Sequence, residues 1–235
     1  ILYFSMLSYF QSLISSPMAT DQKRGLLIVF EGLDRSGKST QAKRLVESIN
    51  KKSTESGDAS SSPSAVLQAF PDRSSSIGKL IDQYLRKEID MDEHALHLLF
   101  SADRFSKNQM IRDNIAKGID VICDRYCYSG VAYSLAKGLP EQWVRSSDVG
   151  LPKPDAVLFF DVSPEVAAQR GGFGEERLET ATIQQKVAAV MPTLRDDAYW
   201  KTVNADGDLD SVEKNVFRIY ENLDREKPFE SLEKI

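Results

Sequence analysis

The stretch "LLIVFEGLDRSGKST", residues 26–40, decides the fold of this chain. It opens with a short, continuous apolar run rich in β-branched residues, which is typical of a strand buried on both faces. Gly32, Gly37, Lys38 and Ser39 then match the spacing G-x-x-x-x-G-K-[ST], and a helical pattern follows. Strand, loop and helix in this order predict a phosphate-binding loop.

The chemistry of such a loop comes from its backbone and two side chains. Glycines let backbone N–H groups converge on a phosphate, and the dipole of the following helix favours an anion there. The Lys38 ammonium is expected to bridge the β- and γ-phosphates of ATP, and the Ser39 hydroxyl to bind Mg²⁺. The candidate ATP ligands in this stretch are Gly32, Arg35, Ser36, Gly37, Lys38, Ser39 and Thr40.

A second metal ligand is available at the end of a later strand. Asp124 ends the apolar run "IDVICD", and Asp161 ends a similar run in "AVLFFDV". Either carboxylate could reach the metal or its water ligands, although an aspartate at a strand end is often only a turn or cap residue. We take Asp124 as the metal ligand and Asp161 as its rival.

Short apolar strands alternate with helical patterns along the chain, which predicts a parallel sheet of about five strands flanked by helices on both faces. The other strands are "AVLQAF" and an edge strand in "WKTVNADGD", and helical patterning is dense over residues 76–117 and 209–223. Residues 52–64 are a polar, Ser-rich connection, and "RGGFGEERLE" breaks the pattern as a candidate mobile lid at about 170–180. Ligands of such sheets bind at the carboxyl ends of the strands.

Composition fits one compact α/β domain over residues 23–235, preceded by an extension over residues 1–22. A net charge of -5 argues against a general nucleic-acid binder, and the extension lacks an apolar run long enough for a membrane span. Its start without Met is typical of a truncated leader, an upstream-translated tail or an organelle-targeting remnant. We expect reduced thiols at Cys123 and Cys127 and a cytoplasmic location, with a mitochondrial or nuclear pool as the alternatives.

A phosphate-binding loop could serve a GTPase switch, an ATPase module or a kinase. The guanine-reading string N-K-x-D is absent from the sequence. Arg73, Arg104 and Arg125 form a second set of basic residues, each after a strand or on a helix, and they could converge on a second phosphoryl group. The sequence therefore favours a kinase with a phosphorylated acceptor.

Six motifs, in order, carry a resemblance to a known family: "FEGLDRSGKST", "FPDR", "HLLFSADR", "DRYCYSGVAYS", "GLPKPDAVLFFDV" and "RGGFGEERLE". Together they resemble eukaryotic thymidylate kinase (dTMP kinase), of the type with an arginine in the phosphate-binding loop, over about residues 24–200. The resemblance implies a nucleoside monophosphate kinase fold with a lid, and ATP-dependent phosphorylation of dTMP to dTDP for dTTP synthesis and DNA replication. It also implies Mg²⁺ and a homodimer, whose interface the helices of residues 76–117 could supply.

The resemblance also implies the site residues. The implied catalytic residues are Arg35, Lys38, Asp124 and Arg125, and Arg170 is implied to stack on adenine. The implied dTMP ligands are Asp34, Phe70, Arg73, Phe100, Arg104, Arg125, Ser129, Gly130, Tyr133 and Gln184.

Within that set, each role follows the family pattern. Arg73 and Arg125 would hold the dTMP phosphate, Phe100 would stack on thymine, and Arg104 would donate to O4 of the base. Ser129 and Gly130 would line the base pocket, Tyr133 would lie against the sugar, and Gln184 would reach the base or its waters. Asp34 would accept from the 3′-hydroxyl and orient Arg35, which would contact the γ-phosphoryl group.

The pattern alone leaves simpler interpretations open. Phe100 has the spacing of a core residue, and Arg104 could pair with Asp103 or a neighbour. Arg177 could pair with one of the neighbouring acids Glu175, Glu176 and Glu179. Leu178 departs from the family, since animal members carry a tyrosine there. Rival functions are a kinase for another nucleoside monophosphate or a deoxynucleoside, and a nucleotide-binding module without catalysis.

Overall fold

A computed structural model describes residues 23–55, 62–170 and 176–235. Its five strands form one parallel sheet in the order β2-β3-β1-β4-β5. The strands are β1 (Leu27–Gly32), β2 (Ala65–Ala69), β3 (Asp120–Asp124), β4 (Ala156–Asp161) and β5 (Trp200–Asn204). The helices are α1 (Lys38–Glu55), α2 (Ser76–Leu85), α3 (Glu93–Ser106), α4 (Asn108–Ala116), α5 (Cys127–Ala136), α6 (Glu141–Ser146), α7 (Pro164–Gln169), α8 (Ala181–Val190) and α9 (Leu209–Glu221), and a 3₁₀ turn covers Met191–Leu194. The predicted parallel sheet is confirmed.

The central strand β1 explains why the sheet carries helices on both faces. Every residue of β1 is buried, and alternate side chains enter two different apolar clusters. Leu27 and Val29 pack with α4 and α5 on one face, while Ile28 and Phe30 pack with α1 and α9 on the other. The strand begins as a continuous apolar run because side chains on both of its faces pack against apolar helices.

Three predicted segments differ from the structure or fall outside the described residues. Helix α1 continues to Glu55, so the predicted Ser-rich connection is wrong where it begins at residue 52. Residues 56–61 of that connection, the extension 1–22 and residues 171–175 of the lid lie outside the described residues. Helix α5, directly after β3, was not predicted from the sequence.

The carboxyl ends of β1 and β3 lie side by side, because Phe30 pairs with Asp124 in the parallel register. The backbone after each strand turns through the left-handed region, at Arg35 and at Arg125, each with φ of 68°. Gly32 allows the loop to leave β1, since a Cβ atom there would lie 2.8 Å from the Phe160 carbonyl oxygen. None of the described helices has both the length and the apolar character needed to cross a bilayer.

Candidate active site

The phosphate-binding loop joins β1 to α1 and buries its lysine. The Lys38 side chain is 5% exposed, and its Nζ donates to the Leu33 carbonyl at 3.0 Å. Burial, and next the positive charge of Arg125, lower the pKa of Lys38 to about 8, against an attraction from Asp34. The loop therefore holds a poorly solvated cation where an anionic ligand would restore its charge balance.

Asp34 is the hub between this loop and the neighbouring elements. It forms an ion pair with Arg125, accepts from the Tyr133 hydroxyl at 3.1 Å, and accepts from the Gln184 amide at 2.7 Å. Burial acts to raise the pKa of Asp34, but the charges of Arg125 and Lys38 and these hydrogen bonds outweigh it and lower the pKa. Asp34 is therefore an ionised carboxylate that joins the loop to α5 and α8.

A cavity opens beside this hub. The structure brings nearly all of the predicted dTMP ligands to its wall: Asp34, Phe70, Arg73, Phe100, Arg104, Arg125, Ser129, Gly130 and Tyr133. Gln184 is the exception. Its amide contacts Asp34, Tyr133 and the Leu178 carbonyl and does not line the cavity.

The two predicted phosphate clamps are both held by carboxylates. Arg73, which is 42% exposed, pairs with Asp82 of α2 and with Glu176, whose carboxylate lies 2.6 Å from Nη2. Arg125 pairs with Asp34 and donates to the Ser129 hydroxyl at 3.2 Å. Acids therefore hold both guanidinium groups at the cavity wall.

Arg104 has a different partner from the one the sequence suggested. Its Nε and Nη2 donate to the two oxygens of Asp148 at 2.9 and 2.6 Å, and both side chains are buried. Asp103 instead accepts from the Asp72 backbone at 2.8 Å and from Ser75 at 3.1 Å. Pairing of Arg104 with Asp103 is therefore wrong, and Asp103 stabilises the loop that carries Arg73.

Phe100 combines the two interpretations that the sequence left open. Its ring is partly buried against the apolar cluster of Ile81, Tyr84, Leu85 and Leu96, and it also lines the cavity. Leu178, on the lid side, packs on the same cluster and lines the same cavity. An aromatic and an aliphatic side chain therefore give the cavity an apolar wall suited to a flat base.

The donor set at the end of β3 fits a divalent cation. Within the described residues, Asp124 Oδ1 is buried without a hydrogen-bond partner. The Asp124 charge acts on Lys38 of the loop, whose pKa it raises against the larger effect of burial. Ser39 is exposed at the start of α1, and Asp161 is exposed at the end of β4. An orphaned carboxylate oxygen next to the loop fits Mg²⁺, which usually takes one or two protein oxygens and completes its shell with phosphate and water.

Arg170 lies on the other side of the loop, at a second cavity. It donates to the Arg35 carbonyl at 2.8 Å and to the Ala205 carbonyl at 2.6 Å. The residues that line this cavity with Arg170 are Ser36, Gly37, Thr40, Gln41, Ala205, Gly207, Asp208, Leu209 and Val212. Because it adjoins the start of α1, this cavity could take the part of a nucleotide beyond its phosphates.

Glu31 is a buried carboxylate that the sequence analysis missed. Its carboxylate accepts a hydrogen bond from the Tyr126 backbone N–H at 2.9 Å. It also accepts from the Ser129 backbone N–H at 3.1 Å and from the Ser129 hydroxyl. Burial raises the pKa of Glu31 against these hydrogen bonds and the charge of Arg125. A charged residue at the end of a wholly apolar strand was the available signal, and its contacts tie β1 to the first turn of α5.

Arg177 contacts neither of its described acidic neighbours, Glu176 and Glu179, through its side chain; Glu175 lies outside the described residues. Its guanidinium donates to the Tyr84 and Ile89 carbonyls, both at 3.0 Å, and pairs with Asp90 at 2.8 Å. The predicted local pairing is therefore wrong for the described neighbours. Arg177 instead binds the Tyr84 carbonyl in the last turn of α2, where a cation is favoured by the helix dipole, and the Ile89 carbonyl beyond that helix.

The fold and the geometry of the site together indicate a class of protein. A five-stranded parallel sheet, a phosphate-binding loop after its central strand, and an arginine-lined cavity at the same edge are the features of a P-loop nucleoside monophosphate kinase.

Comparison with known proteins then gives the family. The thymidylate kinase family model matches residues 30–216. A thymidylate kinase of Arabidopsis thaliana is 45% identical over 83% of this chain and 71% of its own length, and that of Homo sapiens is 39% identical over 89% and 98%. A solved thymidylate kinase from Candida albicans superimposes with a TM-score of 0.78 at 36% identity, covering 89% of this chain and 98% of its own. The chain belongs to the thymidylate kinase family.

Proposed function

We propose that this chain transfers the γ-phosphoryl group of ATP to dTMP, giving dTDP for dTTP synthesis and DNA replication. Beyond family membership, one observation carries the proposal: Asp34 belongs to the phosphate-binding loop and also lines the acceptor cavity, where it pairs with Arg125. Donor and acceptor sites therefore meet at one residue, as transfer between two bound nucleotides requires.

Catalysis here consists mainly of positioning and charge neutralisation. A phosphate oxygen of dTMP is the nucleophile, and it is already anionic near neutral pH, so no general base is needed. Lys38, Arg35 and Arg125 would offset the repulsion between the two anions. Mg²⁺, held by Ser39 and Asp124, would neutralise charge on the β- and γ-phosphates when bound.

Binding of dTMP would exchange carboxylates for phosphate at the clamps. Arg73 and Arg125 would release part of their contacts with Glu176 and Asp34 and take the phosphate in forked, bidentate hydrogen bonds. Asp34 would then be available to the 3′-hydroxyl and to Arg35.

The base would lie deeper in the same cavity, beside the aromatic ring of Phe100 and the Arg104 guanidinium. Tyr133 and Gln184 would border the sugar through their contacts with Asp34. On the donor side, Arg170 would stack on adenine, and Gly32, Ser36, Gly37 and Thr40 would contact the phosphates. The segment 170–180 would close over both nucleotides and exclude water.

We further propose a homodimer, because Leu80 of α2 and Leu98 and Phe105 of α3 are large apolar side chains that are 37%, 50% and 38% exposed. Leu98 and Phe105 lie seven residues apart and therefore share one face of α3. For compartment we propose the cytoplasm, with a mitochondrial or nuclear pool as the alternative, and the kinase domain is proposed to span residues 23–235. No nucleic-acid or membrane partner is proposed.

The test is ADP release measured with dTMP, dUMP, UMP, CMP, AMP and thymidine as acceptors. We expect dTMP to give the highest kcat/KM, and Arg125→Gln to lower it by about a hundredfold or more, since a guanidinium clamp on transferring phosphate is removed. Arg218→Gln, in which the altered side chain donates to Asn215 on the surface of α9, is the matched control. Similar rates across the monophosphates, or preference for thymidine, would overturn the assignment, and nucleotide binding without turnover would indicate a non-catalytic module.

A further inference from the structure

A stripe of polar side chains on α3 is buried behind the acceptor cavity. His97, Ser101 and Arg104 are spaced by four and three residues, so they lie on one face of the helix. All three contact residues 144–148, at the end of α6 and immediately after it. His97 Nε2 lies 2.8 Å from the Ser147 hydroxyl, and the Ser101 hydroxyl donates to the Ser147 carbonyl at 2.8 Å. This stripe therefore fixes the backbone immediately before Asp148.

Asp148 in turn fixes one edge of the Arg104 guanidinium. Its two oxygens accept from Nε and Nη2 at 2.9 and 2.6 Å, and its side chain is fully buried. Nη1 is not part of this pair. Since Arg104 lines the cavity, the remaining N–H groups are those that a ligand can use.

Gly130 of α5 holds the guanidinium from the other side. A Cβ atom at Gly130 would lie 2.8 Å from Nη2 and 3.0 Å from Nη1 of Arg104, so any side chain there would displace the guanidinium. The guanidinium is therefore confined between the α5 backbone and Asp148. A buried cation confined in this way has little rotamer freedom left to lose when a ligand binds.

We propose that Asp148 is a positioning residue for recognition of the acceptor base. By holding Nε and Nη2, it presents the free edge of Arg104 to a carbonyl oxygen on the base and sets the preference for a 4-carbonyl over a 4-amino pyrimidine. The guanidinium has only donors, so a 4-amino group would leave its remaining N–H groups without an acceptor in a buried place, whereas a 4-carbonyl accepts from them. This inference rests on the proposed function, since it concerns the same acceptor site.

The test compares dTMP with 5-methyl-dCMP. The second nucleotide carries a 4-amino group in place of the 4-carbonyl, and its ring nitrogen N3 carries no proton. Both are titrated against the wild type and Asp148→Asn without ATP, by calorimetry, and both are then used as acceptors. We expect Asp148→Asn to raise the Kd and KM for dTMP about tenfold or more, because the buried charge loses its counter-ion. The preference for dTMP over 5-methyl-dCMP should fall by about tenfold, while the KM for ATP changes by less than about twofold.

Asp155→Asn is the matched control. Asp155 pairs with Arg24 in the same two-point fashion, at 2.9 and 2.6 Å, but precedes β4 at the amino end of the sheet. Loss of that pair should lower stability and leave the base preference unchanged. An unchanged preference in folded Asp148→Asn, or an equal change in Asp155→Asn, would overturn the inference.

A milder variant covers the case in which Asp148→Asn does not fold. Ser101→Ala removes the hydrogen bond to the Ser147 carbonyl and should reduce the base preference by about threefold, as expected for one neutral hydrogen bond at the weak end of its usual range. No change in preference there would count against the inference. A wild type that binds neither nucleotide would instead refute the proposed function, and the two failures are distinguishable.

Discussion

Replacement of Lys38 by methionine should stabilise the nucleotide-free protein while abolishing its function. Burial and the charge of Arg125 lower the pKa of Lys38 from 10.5 to about 8. One pKa unit corresponds to about 1.36 kcal/mol, so the charged form costs the folded state about 3 kcal/mol near pH 7. Methionine removes the charge at similar volume but leaves the Leu33 carbonyl without its donor. We therefore expect a gain of about 1 to 3 kcal/mol in the free energy of unfolding.

The gain should depend on pH in a defined direction. Below a pH of about 8 both the folded and the unfolded wild type carry a protonated Lys38, so the full cost is present. Between about 8 and 10.5 the unfolded state binds more protons, and the stability of the wild type therefore rises with pH. The difference between the variant and the wild type should shrink by about 2 kcal/mol from pH ~7 to pH ~9.5.

Urea unfolding without nucleotide, followed by tryptophan fluorescence at both pH values, measures this difference. Lys51→Met is the control, because Lys51 lies in the same helix with a side chain that is 78% exposed. With saturating ATP and Mg²⁺, the wild type should gain about 2.7 kcal/mol at a ligand concentration of ~100 Kd, and the Lys38 variant much less. A nucleotide-free Lys38→Met protein less stable than the wild type near pH 7, or a gain independent of pH, would refute the reasoning.

Three further predictions concern side chains around the site. Glu31→Gln should raise the KM for dTMP about tenfold or more by loosening the first turn of α5 at Ser129, and a change confined to the KM for ATP would contradict that role. Arg177→Met should cost at most about 1 kcal/mol of stability. It should also increase the ADP that forms without dTDP, because the segment that follows the lid loses its contact with the end of α2. Equal amounts of ADP and dTDP in the variant would count against this prediction. Asp124→Asn should lower kcat by about a hundredfold and raise the Mg²⁺ concentration needed for activity. Asp161→Asn, at an exposed strand end, should leave both quantities nearly unchanged. A Mg²⁺ titration that ranks the two variants in the reverse order would assign the metal to Asp161.

Much of the candidate site was predictable because it rests on local spacing. The strand, loop and helix around Lys38 are contiguous, and the period of the apolar residues decides which side chains enter the core. Arg73, Phe100 and Arg125 were predicted by motif order, and the structure brings them to one cavity. Their roles in binding dTMP stay predictions.

Local signals in the sequence are enough for the order of the elements and the place of the phosphate-binding loop, since periodicity and turn chemistry act over a few residues. The partners of the buried charges, in contrast, depend on how distant segments pack together. Arg104 pairs with Asp148, 44 residues away and not with adjacent Asp103, and Glu31 binds Ser129, 98 residues away. A buried charge must find a counter-charge or hydrogen bonds wherever the packed elements supply them, and no local pattern records which distant segment will be there.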